Sequence, residues 1–265
     1  MKNNSIKNEY LKKIKLLHKY NKAYFDKNKS LITDQQFDIL KKQVIELEKK
    51  YSFLKHKNSP TITLGFKPSK NFKKIKHRVP MLSLANAFNE EDLINFEKKI
   101  ANFLSLSKLE EIEYSAEPKI DGISISLIYK NSYFVQGLSR GDGKEGEDIT
   151  ENLKTIKDIP KIIKVKNFPI EIDIRGEVFI QNDDFKNISE KFANPRNAAS
   201  GSLRQKDPNA NSKIPLKFIA YTYGYAKNMN INSQSDFLKN LKSWGFKINQ
   251  FNVIIKSVHN LILNH

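Results

Sequence analysis

Apolar residues recur at three- and four-residue intervals through the first fifty positions. Leu11, Ile14, Leu17, Tyr20 and Tyr24 predict one helix with lysines between them, and Phe37, Leu40, Val44 and Leu47 predict a second. Thr33 and Gln36 supply a T-x-x-Q capping box at the start of the second helix, after a turn around Asn28–Ser30. The pair reads as a helical hairpin with lysine stems lying along its surface. Pro60, Gly65 and Pro68, followed by the basic cluster Lys70–Arg78, mark a loop and a domain boundary. Asn89 then caps a helix whose Leu93, Phe96, Ile100 and Phe103 are spaced 3, 4 and 3.

From residue 111 the period falls to two. Ile123, Ile125, Leu127 and Tyr129 alternate with small or polar residues, and Tyr133–Leu138 supplies the returning strand of a hairpin. Further strands are predicted at Ile170–Ile180 and Leu216–Tyr225. Short helices are predicted at Asp183–Lys191 and Ser235–Trp244, the latter stopped by Gly245. No internal repeat or low-complexity linker interrupts the chain. The pattern predicts an α+β fold, with a helical amino-terminal cap over residues 1–70 and a domain of antiparallel sheet over residues 71–265.

Composition narrows the chemistry. A chain of 265 residues can bury a core without staples, and the absence of Cys excludes disulfides, thiolate metal sites and thiol nucleophiles. No apolar run reaches membrane-spanning length and the amino-terminus lacks a signal-peptide core, so a soluble, cytoplasmic protein is expected. The net charge is +17, of which residues 1–80 carry +15 (21 basic, 6 acidic). Two readings stay open for this basic end: phosphate or membrane-surface partners, or a composition simply rich in Lys and Asn. The rarer cation says more. Of 46 basic residues only five are Arg: Arg78, Arg140, Arg175, Arg196 and Arg204. Where Lys is the default, an Arg marks a need for a planar, forked donor.

Four of the five fall in three polar stretches. Ser139-Arg140-Gly141-Asp142-Gly143 sets an Arg in a glycine turn, and Arg175-Gly176-Glu177 puts a carboxylate in mid-strand, where burial demands a partner. Phe192–Gln205 (FANPRNAASGSLRQ) carries two Args eight residues apart; taken alone, it also reads as a capped helix start with both Args solvated. A fourth stretch, Glu117-Pro118-Lys119-Ile120-Asp121-Gly122, presents a lysine flanked by carboxylates at the start of a strand. On its own K-x-D-G is a weak signal, equally consistent with a surface lysine paired to Asp121.

Together these stretches resemble the nucleotidyltransferase motifs of bacterial NAD-dependent DNA ligases. His77–Leu84 is similar to that family's adenine-side segment, and Thr33–Asp38 to part of its helical cap. The resemblance runs from about residue 10 to about residue 250. It implies an ATP-grasp-like, covalent nucleotidyltransferase domain following the cap. Lys119 would be the nucleophile that attacks the α-phosphorus of NAD, forming lysyl-AMP and expelling nicotinamide mononucleotide. A lysine attacks only as the neutral amine, a form that nearby cations or desolvation favour. Mg²⁺ and basic side chains would neutralise the phosphates. AMP would then pass to nicked duplex DNA, during replication and repair.

The same resemblance assigns Ser83, Leu84 and Glu117 to the border of the adenosine and Glu177 to a ribose hydroxyl. Arg140 falls to the ribose and phosphate side, and Arg196 and Arg204 to the phosphates of AMP and of the nick. Asp121 would orient Lys119 or a hydrated metal, with no residue assigned as a direct metal ligand. Tyr24, Asp34 and Asp38 would hold the nicotinamide mononucleotide half. Two departures stand out. Phe25 and Phe37 replace the family's usual His and Tyr, keeping aromatic area but losing a polar group each. The family's later catalytic lysines and DNA-binding modules fall beyond position 265, so the domain reads as carboxy-terminally truncated and adenylation by this chain as slow or absent. A monomer is expected. The competing readings are an ATP-dependent ligase or capping-type nucleotidyltransferase, and a non-catalytic nucleic-acid-binding or interaction module derived from a ligase.

Overall fold

The computed structural model describes residues 2–27, 31–54, 59, 72–106 and 111–263, with the side chains of 2, 3, 24–27, 34, 191 and 263 left out. The expectations placed on the side chains of Tyr24, Phe25 and Asp34 therefore lie outside the described residues. Helices α1 (Lys2–Lys27) and α2 (Asp34–Lys50) form the amino-terminal pair. Thr33 and Gln36 close the capping box reciprocally, with Gln36 N donating to Thr33 Oγ1 at 3.2 Å and Thr33 N to Gln36 Oε1 at 3.0 Å.

The buried seam departs from the expected one at Leu11 and at Tyr20, neither of which joins the cluster. Tyr10, not Leu11, joins Leu17, Val44 and Leu54 in the core of the pair, while Leu11 is 47 % exposed. Ile6, Tyr10, Ile14 and Leu17 share one stripe at helical spacing, and Leu11 sits about 100° around the helix from Tyr10. The Tyr10 hydroxyl can enter this seam because it donates to Glu48 Oε1 at 2.7 Å. Burial and that carboxylate push its pKa up to about 12.

Strand β1 (Lys74–Lys76) precedes helix α3 (Glu90–Leu104), where Asp92 N donates to the Asn89 cap at 2.8 Å. The apolar face of α3 is not a core face, contrary to its periodicity. None of its residues is buried and Phe103 is 87 % exposed; α3 packs against the six-residue helix α9 (Val258–Leu263) and the Tyr114 ring, 6.3 Å from that of Phe96. Next come β2 (Tyr114–Ala116), β3 (Ile123–Lys130), β4 (Tyr133–Ser139), β5 (Glu145–Glu147), α4 (Thr150–Leu153) and β6 (Glu171–Phe179). Helices α5 (Asn182–Lys186), α6 (Pro195–Leu203) and α7 (Pro208–Ser212) lead to β7 (Lys217–Ala226), α8 (Gln234–Ser243) and β8 (Val253–Ile255). The helix expected over Asp183–Lys191 is two pieces, α5 and a short turn at Ser189–Lys191. Ile188 N bonds back three residues to Phe185 O at 2.9 Å, so both Phe185 and Ile188 reach the core.

The central sheet has the order β4-β3-β6-β7, antiparallel throughout, and two ribbons, β1-β5 and β2-β8, flank it. Strict alternation divides its two faces. Ile125, Leu127 and Tyr129 of β3, with Ile172, Ile174 and Val178 of β6, point into a core shared with Phe168, Phe218, Phe237, Trp244 and Phe246. The buried Tyr129 hydroxyl is satisfied by Pro160 O at 2.6 Å. On the opposite face β6 presents Asp173, Arg175 and Glu177 in a row.

Gly176 lies on the core face between the last two, where a Cβ would come within 2.3 Å of the Phe218 ring and 2.4 Å of Ile219 O. Gly176→Ala should therefore cost about 1–3 kcal/mol through overpacking. A lowered urea midpoint with unchanged slope is the expected observation.

Candidate active site

The polar face of β6 needs partners, and they come from several parts of the chain. Ser124 lies directly across from Glu177 in the β3-β6 register and donates its hydroxyl to Glu177 Oε2 at 2.8 Å. Glu177 is buried, and burial raises its pKa; the Ser124 bond opposes this, then the charges of Lys119, Arg196 and Arg140 in that order. Three cations thus lie within electrostatic reach of one buried carboxylate. Tyr221 of β7 shares a side-chain hydrogen bond with Ser124, and its pKa is raised first by burial and next by Glu177.

Each cation arrives on its own element. Lys119 is exposed on the loop leading into β3. That loop can pass close to β6 because position 122 is glycine: a Cβ there would meet Val178 O at 2.3 Å and Glu177 Cγ at 2.9 Å. Arg140 begins the turn after β4, tied to β3 by its own N donating to Ser124 O at 3.1 Å. Gly141 and Gly143 take positive φ in that turn (57° and 89°), and Asp142 Oδ1 accepts from the amides of Lys144 and Glu145. Arg196 sits in the first turn of α6, whose cap Asn194 accepts from Asn197 N at 2.7 Å, and its Nη1 donates to Asp121 Oδ1 at 3.1 Å.

A strap formed by residues 77–81 crosses this face. Arg78 grips Asp173 with a two-pronged fork, reaches Glu171 Oε2 at 2.6 Å, and lies 4.1 Å over the Tyr225 ring. Arg175 donates to Val79 O at 2.5 Å and Pro80 O at 3.2 Å. His77 Nε2 bonds Arg140 O at 3.1 Å, and Met81 N donates to Gly143 O at 2.8 Å. The strap is therefore fastened both to the sheet and to the Arg140 turn. Burial lowers the His77 pKa, so at neutral pH its ring is uncharged and serves as a hydrogen-bonding strut.

A groove of about 1110 Å³ runs beside the site. Pro118, Ile120 and Ile219 contribute to its walls, but Lys119 and Glu177 do not.

Two family models match the chain end to end. One, the DNA ligase-like N-terminal NAD⁺-binding domain, covers residues 3–65, and the other, the NAD-dependent DNA ligase adenylation domain, covers residues 69–264. The chain belongs to the NAD-dependent DNA ligase adenylation family. It is 68 % identical over its full length to a DNA ligase of Pelagibacter ubique (strain HTCC1062), covering 39 % of that protein. Identity is 44 % over 246 residues to a DNA ligase of Rickettsia bellii (strain OSU 85-389), with 90 % of this chain and 35 % of that one aligned. A DNA ligase of Parvibaculum lavamentivorans (strain DS-1 / DSM 13023 / NCIMB 13966) is 42 % identical over 241 residues, 88 % of this chain and 34 % of its own. The chain thus spans less than two fifths of the length of these curated relatives.

In this ligase adenylation domain the residues singled out from sequence fall into groups. Lys119, Arg140, Arg196 and Glu177 converge, with Asp121 attached through Arg196 rather than bonded to Lys119. Glu117 lies at the edge of the group, accepting from Gln234 Nε2 at 2.8 Å and Ser115 Oγ at 3.0 Å; Gln234 also donates to Tyr221 O at 2.6 Å. Ser83 and Leu84 follow the strap and are exposed. Arg204 is bonded through Nε to Glu147 Oε2 at 3.2 Å. Asp38 of α2 meets the rest of the molecule through Asn86, whose amide donates to its Oδ2 at 2.9 Å.

Ser124, Tyr221, Gln234 and Glu147 were not anticipated. Ser124 and Tyr221 could have been reached from alternation once the pairing of β3, β6 and β7 was known. Gln234 and Glu147 carried no local signal. Among the described residues no three acidic or imidazole side chains cluster as a metal site.

The raised pKa of Glu177 fixes a sign. In the folded chain the carboxyl holds its proton to higher pH than in the unfolded chain, so stability falls as pH rises from the ordinary carboxylate range through the folded pKa. Glu177→Gln removes this dependence. Urea midpoints measured from pH 3.5 to 7.5, a range of roughly four units, should move in favour of Glu177→Gln as pH increases.

Proposed function

We propose that this chain is the NAD-capturing and adenylating part of a DNA ligase, with Lys119 as its nucleophile. The observation that carries this reading is buried Glu177, bonded to Ser124 and within electrostatic reach of Lys119, Arg140 and Arg196. A buried carboxylate is an acceptor for a ribose hydroxyl, and the surrounding cations suit the phosphates of the same nucleotide.

In the proposed step the Lys119 amine attacks the α-phosphorus of NAD. The new P–N bond forms as the bond to the bridging pyrophosphate oxygen breaks. Nicotinamide mononucleotide leaves with that electron pair, and the lysine's extra proton passes to solvent. Arg140 and Arg196 would draw charge off the phosphate oxygens as the pentavalent arrangement forms. Asp121 would act through Arg196, fixing the direction of its fork. Ser83, Leu84 and Glu117 would border the adenosine, with Tyr221 supplying an aromatic wall beside Glu177. Residues 1–70 would form the cap that holds the mononucleotide half, using Tyr24, Asp34 and Asp38. The acceptor of AMP would be the 5′-phosphate of nicked duplex DNA. Mg²⁺ would bind through the nucleotide phosphates; among the described residues no three His, Asp or Glu side chains cluster as a metal site. The cytoplasm is the proposed location; no described helix is long and apolar enough to cross a membrane.

Titration calorimetry with NAD and AMP, in buffer containing Mg²⁺, tests the ligand assignment. Saturable binding to the wild-type chain, weakened at least tenfold by Glu177→Ala, is expected. Intact mass after prolonged incubation with NAD should place any adenylate, however slowly formed, on Lys119. An adenylated Lys119→Ala variant, or a wild-type chain that binds neither nucleotide, would overturn the reading.

A further inference from the structure

Arg204 is held more firmly than its surface location requires. Its Nε bonds Glu147 Oε2 at 3.2 Å, and its side chain keeps 30 % of its surface open to solvent. Glu147 itself is only 1 % exposed. It ends β5, across from Lys74 of β1, and its amide donates to Ser139 Oγ at 3.0 Å. A carboxylate is put in so dry a place only with a strong partner, because desolvation otherwise costs several kcal/mol.

The backbone on both sides of Arg204 is pinned as well. One buried amide, Asn152 Nδ2, donates to Leu203 O at 2.7 Å and to Gln205 O at 2.9 Å. Asn152 is fixed in turn by Asn211 Nδ2, which donates to Asn152 O at 3.0 Å and to Thr155 Oγ1 at 2.7 Å. Asn152 and Asn211 are both buried. Two buried polar residues, Glu147 and Asn152, therefore meet one partly exposed guanidinium and the peptide groups beside it, and a third, Asn211, braces Asn152. A fork held in this way has one approach direction, which suits a bidentate phosphate contact.

The element that carries Glu147 gives this a consequence. Arg140 opens the turn whose far end is Glu147, and Gly146 is packed against Ser139 O and the His77 ring. Arg140 and Arg204 thus share one support, although they lie far apart in sequence. We infer that Glu147 is a positioning residue that aims the Arg204 fork at a phosphate and holds it in register with Arg140, with Asn152 securing the backbone around it. The inference rests on the nucleotide reading above and extends it to a residue that touches no ligand itself.

The test uses ligand pairs differing by one phosphate: adenosine against AMP, and nicked duplex with a 5′-hydroxyl against the same duplex with a 5′-phosphate. Binding to the wild-type chain is compared with Arg204→Ala, Glu147→Ala and the double variant. In the pair that reports on Arg204, Glu147→Ala should lose the preference for the phosphorylated member by the same factor as Arg204→Ala, about tenfold. The double variant should lose no more than either single change. Adenosine affinity of Glu147→Ala should stay at the wild-type value, which a general loosening of the fold would not permit. If Glu147→Ala fails to fold, Glu147→Gln serves: it keeps an acceptor for Nε, and its phosphate preference should lie between wild type and Arg204→Ala.

A full phosphate preference in the Glu147 variant alongside a lost one in Arg204→Ala overturns the inference, as does an Arg204→Ala variant indistinguishable from wild type in both pairs. A wild-type chain that binds adenosine without any phosphate preference overturns the inference but leaves nucleotide binding standing. One that binds neither adenosine nor AMP overturns both.

Discussion

The structure depends on a row of charge buried across the middle strand of its sheet. Asp173, Arg175 and Glu177 alternate along β6 with Ile174 and Gly176, so one face of the strand builds the core while the other must be neutralised. The partner groups are Arg78 for Asp173, by charge, and by hydrogen bond the Val79 and Pro80 carbonyls for Arg175 and Ser124 for Glu177. Each solution also fixes a piece of the site. Arg78 and Arg175 bring in the strap, the strap holds the Arg140 turn, and Ser124 sets Glu177 among the cations. Desolvation makes this arrangement demanding: a buried charge without its partner costs more than the pair contributes.

A second principle governs the arginines. Arg is scarce here, and every Arg is tied to a carboxylate or carbonyl of another element, apart from Arg140, which is placed through its backbone. Arg78 and Arg175 serve the strap, whereas Arg196 and Arg204 flank α6 and are each directed by an acid from elsewhere, Asp121 and Glu147. A lysine could supply the charge at these places, but its single ammonium could not be oriented through one nitrogen while others face a ligand. The +15 of the first eighty residues says less about chemistry than the placement of these five arginines.

Relatives at 42–68 % identity establish the family, and the chain covers 34–39 % of their length. The geometry adds what family membership leaves open within these residues: which groups converge, which of them are structural, and which polar residues hold the rest. Half-buried Tyr221 and Ser124 join buried Glu177 in one polar cluster. Arg204 and Asp38 have their own partners in Glu147 and Asn86.

Much of this was legible in the sequence wherever the signal is local. Period-two alternation marks β3, β4, β6 and β7 almost to the residue, and Thr33 and Asn89 announce their caps, because these depend on neighbours a few positions away. The motifs likewise named Lys119, Arg140 and Glu177 before any fold was known. Tyr10 for Leu11, the solvent-facing Phe103 and the broken helix after Lys186 were decided by what each element packs against, which periodicity does not encode. The pairings of Ser124 with Glu177, Arg175 with the 79–80 carbonyls, and Glu147 with Arg204 span 53 to 96 residues. Sequence marks such charges as needing partners; only the tertiary structure chooses them, because desolvation forces neutralisation without specifying from where along the chain it comes.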